Sequence, residues 1–236
     1  MLSTFRGMRN LYHALLRGWD DARWSVCPLC SGASRGGRFC ADCLADLPRH
    51  HGPVTGLRAA GVPEPCFAAY DYVFPLAGLL RAGKFHGDLA VIHALGEAFA
   101  EALAPQLPAC DLAVAVPLSL QRYVMRGYNQ TLLLGRRLAL ECKCSLSYKH
   151  LEIKRSPVAQ SSLGAAERAL NIRGAFRARE RLAGERVLLI DDVITTGATL
   201  AAATSALQQA GAGEVVAVAL AATPVSGRQQ QIPNEP

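Results

Sequence analysis

The sequence predicts an α/β fold in which a parallel sheet is flanked by helices, with a small cysteine-bearing module in front of it. Half of the 236 residues are apolar and only 6% are aromatic, a composition that favours helices and aliphatic strands over an all-β sandwich. The clearest unit is a pair of aliphatic strands at 186–190 and 214–221, on either side of a helix at 197–210. A strand, a helix and a second strand in this order form a parallel crossover.

The remaining elements follow from hydrophobic periodicity. Residues 1–22 alternate apolar side chains with arginines, which predicts an amphipathic helix rather than a signal peptide. A zinc-binding module is predicted at 23–50, a Gly/Pro-rich linker at 51–65, a main domain at 66–222 and a disordered tail at 223–236. Within the main domain the pattern predicts these further elements in order: strand 66–73, helix 89–103, strand 111–116, helix 129–141 and strand 146–153.

Charge and hydropathy limit which binding partners and which cellular compartment the sequence favours. Lysine and arginine outnumber the acidic residues by 25 to 19 and give a net charge of +6. Such a charge would attract phosphates or nucleic acid, or it is simply a functionally neutral basic surface. The chain has no run of about 18 apolar residues, so we expect neither a membrane-spanning helix nor export. A cytoplasmic protein follows, with surface association of the first helix left open.

Four cysteines near the N terminus form two pairs, Cys27-x-x-Cys30 and Cys40-x-x-Cys43. Two intervening residues let both thiolates of a pair point at one tetrahedral centre, and four such ligands make a closed structural Zn²⁺ site. Two disulfides or a redox pair are the alternatives, which a reducing compartment and the presence of two pairs disfavour. Zinc binding would fold a module too small for its own core. The remaining cysteines, expected to be buried small hydrophobic residues, are Cys66, Cys110, Cys142 and Cys144.

A candidate ligand site follows the strand at 186–190. Asp191 and Asp192 come next, at the C-terminal edge where parallel sheets bind ligands. The loop that then opens the next helix consists of Thr195, Thr196, Gly197, Ala198 and Thr199. Unpaired N–H groups and the helix dipole favour a phosphate there, while the two carboxylates would accept hydrogen bonds from sugar hydroxyls and help hold a hydrated Mg²⁺. The segment therefore predicts a ribose 5-phosphate site; an ordinary threonine-capped turn is the alternative.

The segment at 187–199 resembles the motif of the type I phosphoribosyltransferases, in which an apolar strand is followed by paired acids and a Thr-Thr-Gly loop. Those enzymes bind 5-phosphoribosyl 1-pyrophosphate (PRPP). The resemblance implies the type I phosphoribosyltransferase fold, with Asp191 and Asp192 on the ribose hydroxyls and residues 195–199 around the 5-phosphate.

Several further blocks occur in order along the chain and together look like the ComF family. They are the cysteine module, Lys84-Phe-His-Gly-Asp88, Pro117-Leu-Ser-Leu, Arg126-Gly-Tyr-Asn-Gln130, and Gln160-Ser-Ser-Leu with Asn171-Ile-Arg-Gly-Ala-Phe176. Members of this family are associated with DNA uptake in natural competence or with use of external DNA, and some relatives carry a gluconate-utilisation name. The resemblance covers nearly the whole chain up to about residue 223.

The block after the strand at 111–116 is a candidate for the pyrophosphate side of the site. Val116, Pro117, Leu118 and Ser119 would present backbone N–H groups to the pyrophosphate. Arg122 and Arg126 would supply positive charge, although a helix-capping or surface role is as open for Arg126.

The polar stretch at 154–173 is predicted to be a mobile loop, helical in part from residue 165. The longer segment from Lys154 to Phe176 resembles the flexible loop that closes over PRPP, in which Lys154, Arg155 and Arg168 would cover the leaving group, with Gln160 in the same loop. A solvated basic loop, or one that grips nucleic-acid phosphates, is the alternative. The segment from Lys84 to His86 would similarly offer stacking and charge to single-stranded DNA, or place Phe85 in the core.

Three functions are compatible with these residues. The first is a transferase that binds Mg·PRPP and passes the ribosyl phosphate to an unknown acceptor as pyrophosphate leaves. The second is a single-stranded DNA-binding accessory of the DNA-uptake machinery, whose pocket binds a nucleotide. The third is a regulator that senses PRPP without turnover. The sequence contains no recognisable acceptor pocket or general base beyond the paired acids.

Overall fold

The centre of the computed structural model, which describes residues 26–57, 61–154 and 174–224, is a five-stranded parallel sheet. The strands along the chain are β1 (Cys66–Asp71), β2 (Leu112–Ala115), β3 (Ser145–Ser147), β4 (Leu151–Ile153), β5 (Phe176–Ala178), β6 (Arg186–Ile194) and β7 (Glu214–Ala222). The order in the sheet is β1-β7-β6-β2-β3, and every neighbouring pair is parallel. Strands β4 and β5 form a separate antiparallel pair. The predicted parallel α/β fold is confirmed.

Five of the six helices in the described ranges lie between the parallel strands along the chain, and three of them begin at a side-chain cap. The six helices are α1 (Ala41–Ala45), α2 (Leu76–Phe85), α3 (Leu89–Leu103), α4 (Leu120–Arg126), α5 (Gln130–Glu141) and α6 (Ala198–Gln209), with a short 3-10 turn at Ala104–Gln106. Side-chain oxygens of Asp88, Ser119 and Asn129 accept bonds from N–H groups in the first turns of α3, α4 and α5. Such capping satisfies donors that a helix leaves unpaired at its start.

The hydrophobic core lies on both faces of the sheet, as the continuous apolar sequences of β6 and β7 require. Alternate residues of β6 point to opposite faces. Leu188 and Ile190 pack in the cluster that contains buried residues of α3 and α5. Val187 and Leu189 pack in the cluster that contains residues of α6. Complete burial of one such side chain contributes about 1.5–3 kcal/mol, so the central strands form a rigid support for their C-terminal ends.

The strand predicted at 146–153 is wrong as a single element. The hydroxyl of Ser147 accepts bonds from the N–H groups of Lys149 and His150, at 3.1 and 3.3 Å. This local turn competes with continued strand pairing. The chain therefore leaves the main sheet after β3 and enters the separate β4–β5 pair. Helices α2 and α4 were not predicted at all.

The other predicted elements within the described residues lie within a few positions of the observed ones, and the helix at 89–103 coincides with α3. The predicted N-terminal helix at 1–22 and the predicted loop beyond residue 154 lie outside the described residues, as does the tail beyond residue 224. None of the helices in the described ranges combines the length and apolar character that crossing a membrane requires.

The segment predicted as a linker packs along β1, an edge strand of the sheet. An isolated bridge pairs Pro53 with Phe67, and the N–H of Val54 donates to Cys66 O at 2.7 Å. Just before the predicted linker, a second bridge pairs Arg49 with Tyr70. Val54 and Val62 are buried. Coverage of this kind protects an edge strand from pairing with other chains.

Candidate functional site

The paired acids, Asp191 and Asp192, lie where β6 extends beyond the end of its neighbour β2. Pairing of β2 with β6 ends at Ala115 and Ile190, whereas β6 continues beside β7 as far as Ile194. Asp191 and Asp192 therefore sit at the end of β2, on the carboxyl edge of the parallel sheet. Ligands of open parallel sheets bind at this edge.

Asp191 is buried, and its surroundings disfavour its charged form. Burial, and after it the neighbouring charge of Asp192, together raise the pKa of Asp191 to about 8. The N–H of Asp192 donates to Asp191 Oδ1 at 2.8 Å, which opposes the rise only in part. Burial and the charge of Asp192 both favour the protonated carboxyl of Asp191 over the carboxylate, and the protonated form can donate a hydrogen bond as well as accept one.

Asp192 is held by two side chains from other elements. Lys84 Nζ, near the end of α2, lies 2.7 Å from Asp192 Oδ2. Gln130 Nε2, at the start of α5, donates to the same oxygen at 2.6 Å. The other amide atom, Gln130 Oε1, is buried and has no hydrogen-bond partner among the described residues. A buried acceptor without a partner is costly, so this oxygen is available to a ligand or a water molecule.

The loop after β6 leads through a left-handed glycine into the start of α6. Thr195 and Thr196 are exposed. Gly197 occupies the cap position of α6 in the left-handed region, with φ of 75°, and offers no side-chain cap of its own. The hydroxyl of Thr196 accepts a long hydrogen bond from the N–H of Ala198, at 3.4 Å. A Cβ at Gly197 would lie 2.5 Å from Val62 Cγ2, so a larger residue requires this packing to shift. The start of α6, with Ala198 and Thr199, thus presents backbone N–H groups and the positive end of the helix dipole beside the acids.

On the opposite side of the acids, the segment from Val116 to Ser119 leads from β2 into α4. The N–H of Val116 donates to Ile190 O at 2.9 Å, and its carbonyl accepts from Asn129 Nδ2 at 3.1 Å. Pro117 has no N–H. Among the described residues the N–H groups of Leu118 and Ser119 have no backbone partner, so these are the donors that this block offers to an anion.

Basic side chains from α2 and α4 surround the acids. The charges of Lys84 and Arg122 act on Asp191, and the charge of Asp192 acts on Arg126. The Arg126 guanidinium also lies over the ring of Phe85, with 5.3 Å between Cζ and the ring centroid. The site therefore combines two acids with three cations and one exposed aromatic ring.

Of the residues predicted for the flexible loop, only Lys154 is described. It is exposed at the end of β4, where its N–H donates to Ala175 O at 2.7 Å. Arg155, Gln160 and Arg168 lie outside the described residues.

The sequence did not predict that Lys84 and Gln130 both contact Asp192. Both residues belong to blocks that the family resemblance singled out. Their joint role rests on contacts between elements far apart in the chain, and periodicity carries no signal for such contacts.

The four cysteines near the N terminus converge as their spacing predicts. Their Sγ atoms all lie within 4.8 Å of one another, a group that could hold a metal ion. Cys30 Sγ and Cys40 Sγ are 3.6 Å apart, close to the separation of about 3.8 Å that two 2.3 Å Zn–S bonds give in a tetrahedron. The N–H of Gly32 also donates to Cys30 Sγ at 3.4 Å, which stabilises thiolate charge. The donor set therefore fits a structural Zn²⁺.

The cysteine module is anchored to α3 of the main domain. Arg38 forms an ion pair with Glu97 at 2.7 Å, and His93 Nε2 lies 2.9 Å from Gly36 O. Phe39 is buried in the same cluster as residues of α3. The module thus packs against the helical layer as part of one hydrophobic core.

The parallel sheet and the motif at 187–199 define a phosphoribosyltransferase-type protein, and comparison with known proteins agrees with this class. Residues 90–233 match the family described as "Phosphoribosyl transferase domain". "DNA utilization protein YhgH" of Escherichia coli (strain K12) is 30% identical over 203 residues, covering 81% of this chain and 88% of that protein. "Competence protein F" of Haemophilus influenzae is 26% identical over 204 residues, covering 82% and 89%. The chain belongs to the ComF family of phosphoribosyltransferase-domain proteins.

A solved structure is also similar. It is the glutamine PRPP amidotransferase from B. subtilis complexed with ADP and GMP, and its sequence is 22% identical. The TM-score is 0.38, and the match covers 54% of this chain and 26% of that longer chain.

Proposed function

We propose that the chain binds PRPP or a related ribose phosphate, with Mg²⁺, at the carboxyl edge of its sheet, and that it serves DNA uptake or the use of external DNA in the cytoplasm. The observation that carries the ligand proposal is the placement of Asp191 and Asp192 directly beside the start of α6. Within the described ranges, only the long bond from the Ala198 N–H to the Thr196 hydroxyl occupies a backbone donor there. A sugar hydroxyl group and a phosphate on one ligand would meet complementary groups there.

The basic and backbone groups on the other side of the acids suggest how the ligand is oriented in the site. With the 5-phosphate at residues 195–199 and the ribose hydroxyls on the acids, the pyrophosphate would extend towards Leu118, Ser119 and the arginines of α4. Arg122 and Arg126 would offset its negative charge. Mg²⁺ would supply further charge neutralisation on the pyrophosphate and ribose oxygens.

The ion pair of Lys84 with Asp192 would have to change when a ligand binds the acids. A ribose hydroxyl that binds Asp192 has to share its carboxylate with Lys84 or displace the ammonium group. A displaced Lys84 would remain near the anionic ligand, where its charge is still compensated. Ligand binding would therefore exchange one charge partner of Lys84 for another.

Calorimetric titration of the zinc-loaded chain with Mg·PRPP tests this proposal. We expect saturable binding by the native chain and by a Glu214→Gln control, which removes an exposed carboxylate at the opposite end of the sheet. The Asp191→Asn/Asp192→Asn double variant should lose binding while keeping its unfolding cooperativity. Equal binding by the native chain and the double variant would contradict the assignment of the site.

Turnover distinguishes a transferase from a PRPP-sensing regulator. Pyrophosphate release can be followed by ³¹P NMR with Mg·PRPP and candidate acceptors such as nucleobases or ammonia. Release that depends on one acceptor, and that the double variant lacks, supports the transferase. Tight binding without release supports the regulator.

A second candidate function is contact with single-stranded DNA, in line with the names of the two relatives. The specific observation is Phe85, whose side chain is 66% exposed beside Arg126. An exposed ring next to a cation suits base stacking and phosphate attraction. Partners from the DNA-uptake machinery would then meet the protein near this edge.

Fluorescence anisotropy with a labelled oligo-dT tests the DNA proposal. We expect binding that weakens steeply with salt and that Phe85→Ala weakens further. Phe74→Ala removes an 83% exposed ring just before the other end of α2 and should leave binding unchanged. Equal effects of the two substitutions would contradict a stacking role for Phe85.

A further inference from the structure

Three cysteines outside the zinc module meet at the amino edge of the sheet, opposite the candidate ligand site. Cys110 precedes β2, Cys142 caps the end of α5, and Cys144 precedes β3. The expectation of burial is confirmed for Cys66, whereas Cys110, Cys142 and Cys144 are only half-buried at the border of the core. They are therefore candidates for thiol chemistry.

The turn at the end of α5 brings two of these cysteines to one place. The N–H of Cys144 donates to Ala139 O at 3.0 Å, and the N–H of Lys143 donates to Leu140 O at 3.0 Å. Lys143 has φ of 56°, so the helix ends in a Schellman motif with a non-glycine residue in the left-handed position. The chain reverses at Lys143 and delivers Cys144 to Cys110.

The three thiols form a chain of contacts. Cys110 Sγ donates to Cys144 Sγ at 3.1 Å, and the thiol of Cys142 interacts with Cys110. The hydrogen bond from Cys110 lowers the pKa of Cys144, whereas the interaction with Cys110 raises the pKa of Cys142. Cys144 is thus the member of the group with the greatest thiolate character, and thiolates are the nucleophilic form.

The short contact favours a disulfide over a metal site. Two thiolates on one zinc ion lie about 3.8 Å apart, a separation that Cys30 and Cys40 approach at 3.6 Å. At 3.1 Å, Cys110 and Cys144 are too close to share a metal in the same way. A movement of about 1 Å would bring their sulfurs to disulfide-bond distance.

We propose that Cys110 and Cys144 form a reversible disulfide under peroxide, which fastens the edge strand β3 to the start of β2. The thiolate of Cys144 attacks one peroxide oxygen; the O–O bond breaks, hydroxide leaves, and a sulfenic acid forms. Cys110 then attacks the sulfenic sulfur, so that the S–S bond forms and the S–O bond breaks with loss of water. Two thiols and one hydrogen peroxide give one disulfide and two water molecules.

Peptide mapping of the zinc-loaded, full-length chain tests this pairing. After treatment with hydrogen peroxide and blocking of free thiols, trypsin cleaves after Lys143 and so separates Cys142 from Cys144 into different peptides. We expect a dithiothreitol-sensitive link between the Cys110 and Cys144 peptides. A link from Cys110 to Cys142, or oxidation confined to the zinc-module cysteines, would overturn the proposal.

Serine variants provide the matched comparison. Cys144→Ser should abolish the link, whereas Cys142→Ser should retain it. Both variants should keep their zinc content, and Cys110→Ser gives the same test if Cys144→Ser does not fold. Persistence of a link to Cys110 in Cys144→Ser would contradict the assignment of Cys144.

Discussion

Substitution of Gly197 by alanine is expected to damage both the stability of the fold and the phosphate loop. Gly197 adopts a φ of 75°, and an added Cβ would lie 2.5 Å from Val62 Cγ2 and 3.4 Å from Leu57 Cδ1. The substitution therefore combines two unfavourable effects. One is the left-handed backbone of a non-glycine residue, and the other is a steric clash with the segment that packs over the loop.

The two effects have separate magnitudes. A left-handed conformation costs an L-residue about 1–2 kcal/mol, and overpacking typically costs about 1–3 kcal/mol. Their sum is about 2–5 kcal/mol. For a chain of this size, 1 kcal/mol lowers Tm by about 2–4 °C, so Gly197→Ala should lower Tm by roughly 4–20 °C. Displacement of the loop should also weaken Mg·PRPP binding.

A glycine with similar backbone geometry but open surroundings separates these effects. Gly52 has φ of 80° and no atom within 4 Å of an added Cβ. Thermal unfolding should therefore show a decrease of only about 2–8 °C for Gly52→Ala, from the backbone cost alone, and calorimetry should show unchanged binding. Equal Tm values for the two variants, with native-like Mg·PRPP affinity in both, would refute the reasoning about the loop.

Three further predictions address the acids and the metal. Lys84→Met should reduce the urea-unfolding free energy by about 3 kcal/mol, because it leaves a nearly buried carboxylate without its cation; adding Asp192→Asn should recover part of that loss. The pKa of Asp191 is raised to about 8 in the folded chain, so the fold favours the protonated carboxyl. The stability that Asp191 contributes is therefore fully present below about pH 4 and is lost as pH rises to about 8, where the folded chain has to hold a buried carboxylate. Asp191→Asn should therefore gain stability over the native chain across this window, by a few kcal/mol, and parallel pH profiles of unfolding would contradict this. Cys43→Ser should lose zinc by elemental analysis and lower Tm, whereas Cys66→Ala should keep its zinc; zinc loss from both would argue against the four-cysteine site.

The sequence allowed prediction of elements whose signals are local. The helix at 89–103 has regular apolar spacing behind an Asp88 cap, and β6 and β7 are nearly continuous aliphatic runs. The cysteine pairs likewise carry their geometry in their spacing. Each of these features is determined within about 20 consecutive residues, where periodicity and turn chemistry are informative.

Features that depend on contacts between distant segments could not be predicted. Nothing in the local sequence joins Lys84 and Gln130 to Asp192, because that contact exists only once α2, α5 and β6 are packed. The approach of Cys144 to Cys110 likewise depends on an unusual left-handed lysine at a helix end. The failure at 146–153 has a different cause, since a serine side chain competed there with strand pairing.

A crystal structure of the zinc-loaded chain with Mg·PRPP would test the central proposal most directly. We expect the 5-phosphate within hydrogen-bond distance of the N–H groups at Ala198 and Thr199, with the ribose hydroxyls on Asp191 and Asp192. We also expect Lys84 to shift from Asp192 towards the ligand or to share the carboxylate with it. Ligand bound elsewhere, or an acid pair that stays free of ligand at saturating concentration, would contradict the proposed site.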